Sequence, residues 1–525
     1  MRVSEYVILA EAEVPVAETR QVRHRWNLVV IGVIASVFAV LAWQRRWMSD
    51  DGLIVLRTVR QILDGNGPVY NVGERVEVNT SALWTAILAL LGLTGLRLEW
   101  LAVGTGLACA VGGLVLGLDA ARRLHRGAVL PAGVLVVCAV PPFLDFATSG
   151  LETGLVTLWL GATWWLLVRA GTARRIWPVA LVIGLGPLVR PELALFSMVM
   201  FGALLMVCRP GWRRAVAWLA VAGSLPLVYQ VFRMGYYGLL TPNTALAKEA
   251  SGHRWMRGLY YLTDLNDAYL LWLPLLALAG VLAWILRSNP RRVVTLAPVV
   301  AGIGLAIYTV RVGGDFMHGR MLLPAIFAVL LPVLVLPVKQ WAVAAGVGAW
   351  ALVAGTSLRV PYAPEFAAGT QIADERAFWV NATGREHPIL AEDFQNVSAV
   401  RDPAVLPDGR ILSYSIGAIG MFTPLEVTVH DPIGLSNPLA AHASNLPDGR
   451  AGHDKRISAD WDLADTGYGG PAVKALACPA IAEMLESVRA PLTPQQFWRN
   501  LTGSFDRTSL RYDPDPARAC SGAGS

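Results

Sequence analysis

Two adjacent carboxylates, Asp50 and Asp51, directly follow the first hydrophobic segment of the chain. Such side chains can accept a proton as a general base, attack a sugar carbon as a nucleophile, or bind a divalent cation. A structural interpretation is compatible with these, because Ser49 is a good helix N-cap and acids in a first turn complement the helix dipole. Asp50 and Asp51 are therefore the predicted catalytic residues and, if a divalent cation is bound, its predicted ligands.

Cationic side chains suited to a phosphate leaving group are Arg190, Arg233, Lys248, His318 and Arg320. Guanidinium and ammonium groups bind phosphate through charge-assisted hydrogen bonds. Each also has a simpler interpretation. Arg190 can pair with Glu192 and Lys248 with Glu249, while a cation at the end of a membrane span often extends its head group to the interface.

Other polar side chains accompany these acids and cations. Asp315 and His318 are three residues apart, a spacing that suits either a metal site or a simple hydrogen bond. The residues predicted to contact an acceptor or to support the site are Glu74, Glu77, Asn79, Glu152, Tyr236, Tyr237, Asn243 and Asp315.

The composition is that of a membrane protein. Of the 525 residues, 54% are hydrophobic and only 16% are charged, and the mean hydropathy is +0.48. The net charge of +6 comes from basic residues between apolar runs, which indicates membrane topology and not nucleic-acid binding. No P-loop or dinucleotide fingerprint is present.

The apolar runs predict an α-helical polytopic protein with about eleven transmembrane helices, near 27–43, 98–118, 128–145, 151–169, 176–189, 193–208, 214–232, 269–287, 293–310, 321–338 and 340–357. The run 82–95 is predicted to lie along the membrane, because all basic loops then face the cytoplasm. Apolar residues at helical spacing after Asp51 predict an amphipathic helix on the membrane surface.

This topology divides the chain into a cytoplasmic tail (1–26), a transmembrane catalytic domain (27–357) and an extracytoplasmic domain (358–525). We call the loops opposite the basic ones the outer segments: 44–97, which carries the two acids, and 145–152, 190–192, 233–268 and 311–320. They contain nearly all the candidate site residues.

From residue 358 the composition becomes that of a soluble α+β or β-rich domain. Its predicted glycan-binding residues are His430, Asp431, His442, His453, Asp454, Lys455, Trp461 and Tyr468. A metal site formed by the three histidines is an alternative. Cys478 and Cys520 are the cysteines of this polar region, and an extracytoplasmic location predicts that they form a disulfide.

Several longer runs carry a resemblance to a known family. They are 50–84, SGLETGL (149–155), VRPELAL (189–195), FRMGYYGLLTPNTALAKEA (232–250), GGDFMHGRMLLP (313–324) and HDPIGLSNPLAAH (430–442). The chain resembles the terminal β-(1→2)-arabinofuranosyltransferases of mycobacteria and their relatives, which are polytopic glycosyltransferases with the GT-C fold.

The resemblance implies transfer of arabinofuranose from decaprenyl-phospho-arabinose to the non-reducing ends of arabinan in arabinogalactan and lipoarabinomannan. It also implies a plasma-membrane location and a periplasmic carbohydrate-binding module after residue 358. Donor and product are both β-linked in this family, so the anomeric configuration is retained. Retention permits a double displacement or a front-face mechanism, and no cofactor beyond a divalent cation is indicated.

Three alternatives remain open from the sequence: a mannosyltransferase of the same fold, a transporter of lipid-linked sugar, and a non-enzymatic receptor. A transporter of this kind usually shows an internal repeat and charges at mid-membrane depth. The chain shows no repeat, and its charges gather in the outer segments.

Overall fold

The computed structural model describes residues 16–125, 127–249, 252–288, 290–357, 372–446 and 449–521, and it is mainly helical. The helices before residue 358 are α1 (Val16–Gln44), α2 (Asp50–Leu63), α3 (Ala82–Gly92), α4 (Leu98–Arg122), α5 (Gly133–Ala139), α6 (Pro141–Asp145), α7 (Thr153–Ala170), α8 (Trp177–Gly184), α9 (Gly186–Val189), α10 (Ala194–Cys208), α11 (Trp212–Tyr236), α12 (Asn243–Ala247), α13 (Trp255–Tyr269), α14 (Trp272–Ser288), α15 (Arg292–Val312), α16 (Leu323–Leu330) and α17 (Trp341–Thr356).

The region after residue 371 contains short helices and little sheet. Its helices are α18 (Glu375–Thr383), α19 (Ser398–Arg401), α20 (Ile416–Phe422), α21 (Pro438–His442), α22 (Ala459–Asp465), α23 (Val473–Leu476), α24 (Pro479–Arg489) and α25 (Pro494–Ser509). Within the described ranges, 3-10 turns occupy Pro191–Leu193, Arg320–Leu322, Leu331–Val333, Val338–Gln340 and Ala391–Phe394.

Among the described residues, five helical stretches are long and apolar enough to cross a membrane, by length and composition: His24–Gln44, Leu98–Arg122, Pro191–Cys208, Trp212–Tyr236 and Arg292–Val312. A sixth is obtained if α13 and α14 count as one span, although they meet at 93°. Shorter apolar helical stretches occupy Ala82–Gly92, Trp177–Val189 and Arg320–Val333. The chain is therefore a polytopic membrane protein.

Two predicted spans are interrupted by strands. β1 (Val129–Pro131) pairs antiparallel with β2 (Val335–Pro337), so segments 128–145 and 321–338 each contain a strand as well as helix. Proline explains part of the difference, because Pro141 and Pro142 cannot donate the backbone hydrogen bonds that a continuous helix requires. A second sheet joins β4 (Ile411–Leu412) to β3 (Ala404–Val405) and β5 (Val429–His430).

Glycines bring α4 and α7 into close contact. A Cβ on Gly161 would lie 2.2 Å from the carbonyl oxygen of Gly113, and one on Gly154 would lie 2.1 Å from that of Gly106. Small residues let membrane helices approach at the backbone. Gly106 and Gly113 therefore allow the close packing of these two helices.

The helix that follows Asp51 forms as predicted, but it does not lie with one face in water. Arg57 and Gln61, on its polar side, are fully buried and donate to backbone carbonyls between residues 420 and 427. Its apolar side packs within the main hydrophobic core, where Val55 and Val59 are buried. Helix α2 therefore lies between the membrane helices and the C-terminal region.

Candidate active site

A cavity of about 370 Å³ lies where the outer segments meet. Asp51 and Asn79 line it from the first of them, Glu152 and Arg190 from the next two, and Lys248 from the fourth. The fifth contributes Asp315 and Arg320, and the C-terminal region completes the wall with Leu435, Gly452, Thr508 and Arg511. The structure thus brings together seven predicted site residues from five distant segments.

Of the two adjacent acids, Asp51 is the one that lines this cavity. Ser49 caps helix α2 by accepting a hydrogen bond from the amide of Gly52 at 2.9 Å, which places Asp51 in the first turn. Its carboxylate lies 3.4 Å from the Arg320 guanidinium and 3.7 Å from the Lys248 ammonium. Burial would raise the pKa of Asp51, but these two cations lower it below its ordinary value. Asp51 is therefore held as an anion.

Asp50 points away from the cavity towards the C-terminal region. Its two carboxylate oxygens accept hydrogen bonds from the amides of Gly417 at 3.1 Å and Ala418 at 2.7 Å, in the first turn of α20. Burial raises the pKa of Asp50 to about 7, although these amides oppose the shift. The two neighbouring acids thus have different environments.

The cations of the cavity differ in how fully they are compensated. Arg190 pairs with Glu192, as the simpler interpretation of the sequence proposed, and also with Glu152. Arg320 donates to Asp315 at 2.7 Å as well as approaching Asp51. For Lys248 the ion pair that the described residues show is the 3.7 Å contact with Asp51. Lys248 therefore keeps the greatest capacity to bind an added anion.

His318 and Arg233 lie outside this cavity. The ring of His318 contacts Asp264 at 2.6 Å and Tyr269 at 3.2 Å, partners that the spacing of Asp315 and His318 does not predict, while the carboxylate of Asp315 accepts from Arg320. Arg233 binds Glu77 at 2.6 Å and so ties α11 to the first outer segment. These contacts indicate positioning of the segments that carry the cavity residues.

Other predicted residues line a smaller neighbouring cavity or hold elements together. Glu77, Asn79 and Tyr237 line a cavity of about 160 Å³, which shares Asn79 with the larger one. Within the described chain the buried Asn79 Oδ1 has no hydrogen-bond partner. Tyr236 stacks on a neighbouring phenylalanine, while Asn243 donates to the carbonyls of residues 434 and 435.

Glu375 is a buried acid near Asp51 that the sequence did not indicate. It is buried at the start of α18, and its Oε1 accepts from the indole of Trp379 at 3.2 Å. Its other oxygen has no partner among the described residues. Burial, together with the charge of Asp51, raises the pKa of Glu375 well above its ordinary value. No local motif marks this residue, because only the folded chain brings it near Asp51.

Arg257 was missed as well. It lines the cavity and pairs with Asp454 at 2.7 Å. On a helix, Arg257 falls on the face opposite the exposed apolar residues of α13. That spacing could have placed it on the inner side of the helix.

Two proteins with sequences similar to this chain have the same name. The AftB family C-terminal domain matches residues 397–521. The chain is 38% identical to the terminal β-(1→2)-arabinofuranosyltransferase of Mycobacterium tuberculosis, over 93% of this chain and 95% of the relative. It is 36% identical to the protein of the same name in Corynebacterium glutamicum, over 89% of this chain and 83% of the relative. The chain belongs to the terminal β-(1→2)-arabinofuranosyltransferase family. No solved structure matches it.

Membership makes this chain a glycosyltransferase, and the disulfide predicted for its polar C-terminal region is present. Cys478 and Cys520 are bonded, with a Cα–Cα distance of 5.6 Å. The bond joins the start of α24 to residue 520 near the end of the matched domain. Cys109, Cys138 and Cys208, in the apolar part of the chain, are free.

Most residues predicted to bind glycan in this arabinofuranosyltransferase are internal. His430 contacts Glu74 and Asp462, and Asp431 accepts from the amides of residues 435 and 436. His442, Asp454, Lys455 and Trp461 are also buried, and His453 packs on Phe316. Tyr468 is the exposed member of the set, with 64% of its surface accessible.

The surroundings of Asp50 and Asp51 in this arabinofuranosyltransferase do not suit a divalent cation. Both oxygens of Asp50 are used by backbone amides, and two cations already surround Asp51. Among the described residues no group of three or more His, Cys, Asp or Glu side chains is arranged to hold a metal. Lys248 and Arg320 can supply the positive charge instead.

Proposed function

We propose that the chain transfers arabinofuranose from decaprenyl-phospho-arabinose to the non-reducing ends of arabinan, in arabinogalactan and lipoarabinomannan, and forms terminal β-(1→2) links. The names of its relatives support the sugar and the linkage. The observation that carries the site assignment is the carboxylate of Asp51, within 4 Å of Lys248 and Arg320 on a cavity wall.

In this proposal Lys248 and Arg320 bind the lipid phosphate and stabilise the charge that develops as it leaves. Asp51 has a lowered pKa, which makes it a poor base but keeps it available as a nucleophile. Its oxygen bonds to the anomeric carbon as the carbon–phosphate oxygen bond breaks. The acceptor hydroxyl then displaces Asp51 and gives its proton to the departed phosphate. Two displacements retain the configuration.

The proposed architecture is a GT-C transmembrane domain of about eleven spans over 27–357, with 358–525 as a periplasmic carbohydrate-binding module. Residues 1–15 of the proposed cytoplasmic tail and residues 358–371 of the module lie outside the described residues. Convergence of the outer segments on one cavity supports this topology. So does the disulfide, because such bonds persist in oxidising compartments. The plasma membrane is the proposed location.

A direct test uses the purified full chain with labelled decaprenyl-phospho-arabinose and a short arabinan acceptor. Wild type should form a β-(1→2)-linked product, and Asp51→Asn should lower the rate at least ~100-fold. Asp64→Asn, at the exposed other end of α2, is the matched control. Transfer from decaprenyl-phospho-mannose instead, donor movement without transfer, or an active Asp51→Asn variant would each overturn the assignment.

A further inference from the structure

Helix α13 lies across the ends of two apolar helices. It makes an angle of 93° with α14, which begins three residues after α13 ends. At its other end the amide of Arg254 donates to the carbonyl of Arg311, in the last turn of α15. Val312 of that turn lines the active-site cavity. In the proposed architecture α14 lies in the predicted span 269–287, so a helix at 93° to it, at the cavity end of α15, runs parallel to the membrane surface.

The outward face of α13 is apolar and aromatic. Its exposed residues are Trp255, Met256, Leu259, Tyr260 and Leu262. Tryptophan and tyrosine are the residues enriched at membrane interfaces. This face also continues onto α14, whose Leu273 and Leu276 are exposed in the same way. A surface of this composition at this position matches an interfacial helix.

The inward side of the same helix supports the active site. Tyr261 is buried, and its hydroxyl donates to the carbonyl of Met317 at 2.8 Å and accepts from the amide of Met321 at 3.0 Å. These contacts bracket Arg320. Arg257, one turn earlier, lines the cavity itself. The helix thus connects the exposed apolar face to the segment that carries the phosphate-binding guanidinium.

We propose that the outward face of α13 binds the outer leaflet of the bilayer, and that lipid thereby helps to hold Arg257 and Arg320 in place. The partner is bilayer lipid in general, recognised by its interface and acyl chains. The inference requires the membrane location but not the proposed reaction. Depth in the bilayer and transfer activity can therefore be measured separately.

Site-directed spin labelling in liposomes tests the proposal. Cys109, Cys138 and Cys208 are first replaced by alanine, and a label is placed at Met256→Cys. Leu276→Cys, exposed on α14, reports a lipid-facing position, and Val405→Cys, exposed on β3, reports a position in the C-terminal region. Collisions with oxygen and with a water-soluble nickel chelate are compared for the three labels.

The label at 256 should resemble the label at 276. At both positions the ratio of oxygen collisions to nickel collisions should be several-fold higher than at 405. A nickel accessibility at 256 equal to that at 405 would overturn the proposal. A second label at Tyr260→Cys gives an independent reading if the first variant fails to fold. Melting curves of the labelled proteins identify such a failure.

Discussion

Asp50 and Arg57, two turns apart on α2, hold opposite ends of the same short helix, α20. Asp50 accepts from the first amides of that helix, and the Arg57 guanidinium donates to the carbonyls of Gly420 at 2.7 Å and Thr423 at 3.0 Å at its other end. Each charge complements the partial charge of the helix terminus it contacts. Asp50 is thus part of a clamp between the first outer segment and the C-terminal region.

Replacing Arg57 with methionine should destabilise this contact strongly. Arg57 donates to five backbone carbonyls, and losing the guanidinium leaves buried acceptors unpaired at a cost of about 3 kcal/mol or more. Thermal melting or limited proteolysis after residue 371 would measure the loss. Arg60→Met, which removes a partly exposed neighbour, should cost clearly less; equal losses would contradict the clamp.

Lys248→Ala should weaken use of the donor more than use of the acceptor. The ammonium lies 3.7 Å from Asp51 on the cavity wall, where we place the donor phosphate. Loss of a charge-assisted contact of about 1.5–3 kcal/mol corresponds to a roughly 10- to 100-fold lower kcat/KM for the lipid donor. Lys474→Ala, exposed in the C-terminal region, serves as the control. An unchanged donor kcat/KM would exclude Lys248 from phosphate binding.

Stability should fall as the pH rises towards 9, because of His430. Burial alone would lower the pKa of this histidine, but Glu74 and Asp462 raise it from 6.5 to about 9. The folded state therefore holds the proton more tightly than the unfolded state does. This contribution is complete below about pH 6.5 and is lost as the pH passes through about 9.

His430→Gln should remove that dependence. The free energies of unfolding of wild type and variant should differ by about 2 kcal/mol at neutral pH. Measured between pH 6 and 10, they should converge as the pH rises. Parallel curves over the whole range would contradict a protonated His430 in the folded protein.

Glu375→Gln should preserve transfer at neutral pH and extend it to more alkaline pH. Burial and the charge of Asp51 raise the pKa of Glu375, so glutamine imitates its neutral form. In wild type, ionisation at higher pH adds a second negative charge near Asp51 and opposes an anionic donor. Rate–pH profiles of both proteins test this, and Glu392→Gln, an exposed site, is the control. A large loss at neutral pH would instead indicate that Glu375 must ionise to function.

Features that depend on a local sequence pattern could be predicted from the sequence. Apolar runs located the main helices, the cysteine pair in the polar region indicated the disulfide, and basic loops grouped the segments that meet at the cavity. Features formed by distant partners could not be predicted. Asp50 accepts hydrogen bonds from residues 417 and 418, which lie 367 and 368 positions further along the chain. The sequence near Asp50 therefore does not show that its role differs from that of Asp51. His430 and Trp461 resemble glycan ligands by type, yet their burial depends on packing that no short pattern encodes.

The participation of Thr508 and Arg511 in the cavity wall also sets an order of events during biosynthesis. Asp51 and Lys248 are made and inserted well before those two residues leave the ribosome. The cavity stays open on one side until the C-terminal region has folded and has docked on α2. A nascent chain therefore presents its reactive carboxylate without the complete enclosure, and competence for transfer arrives as one of the last steps of assembly.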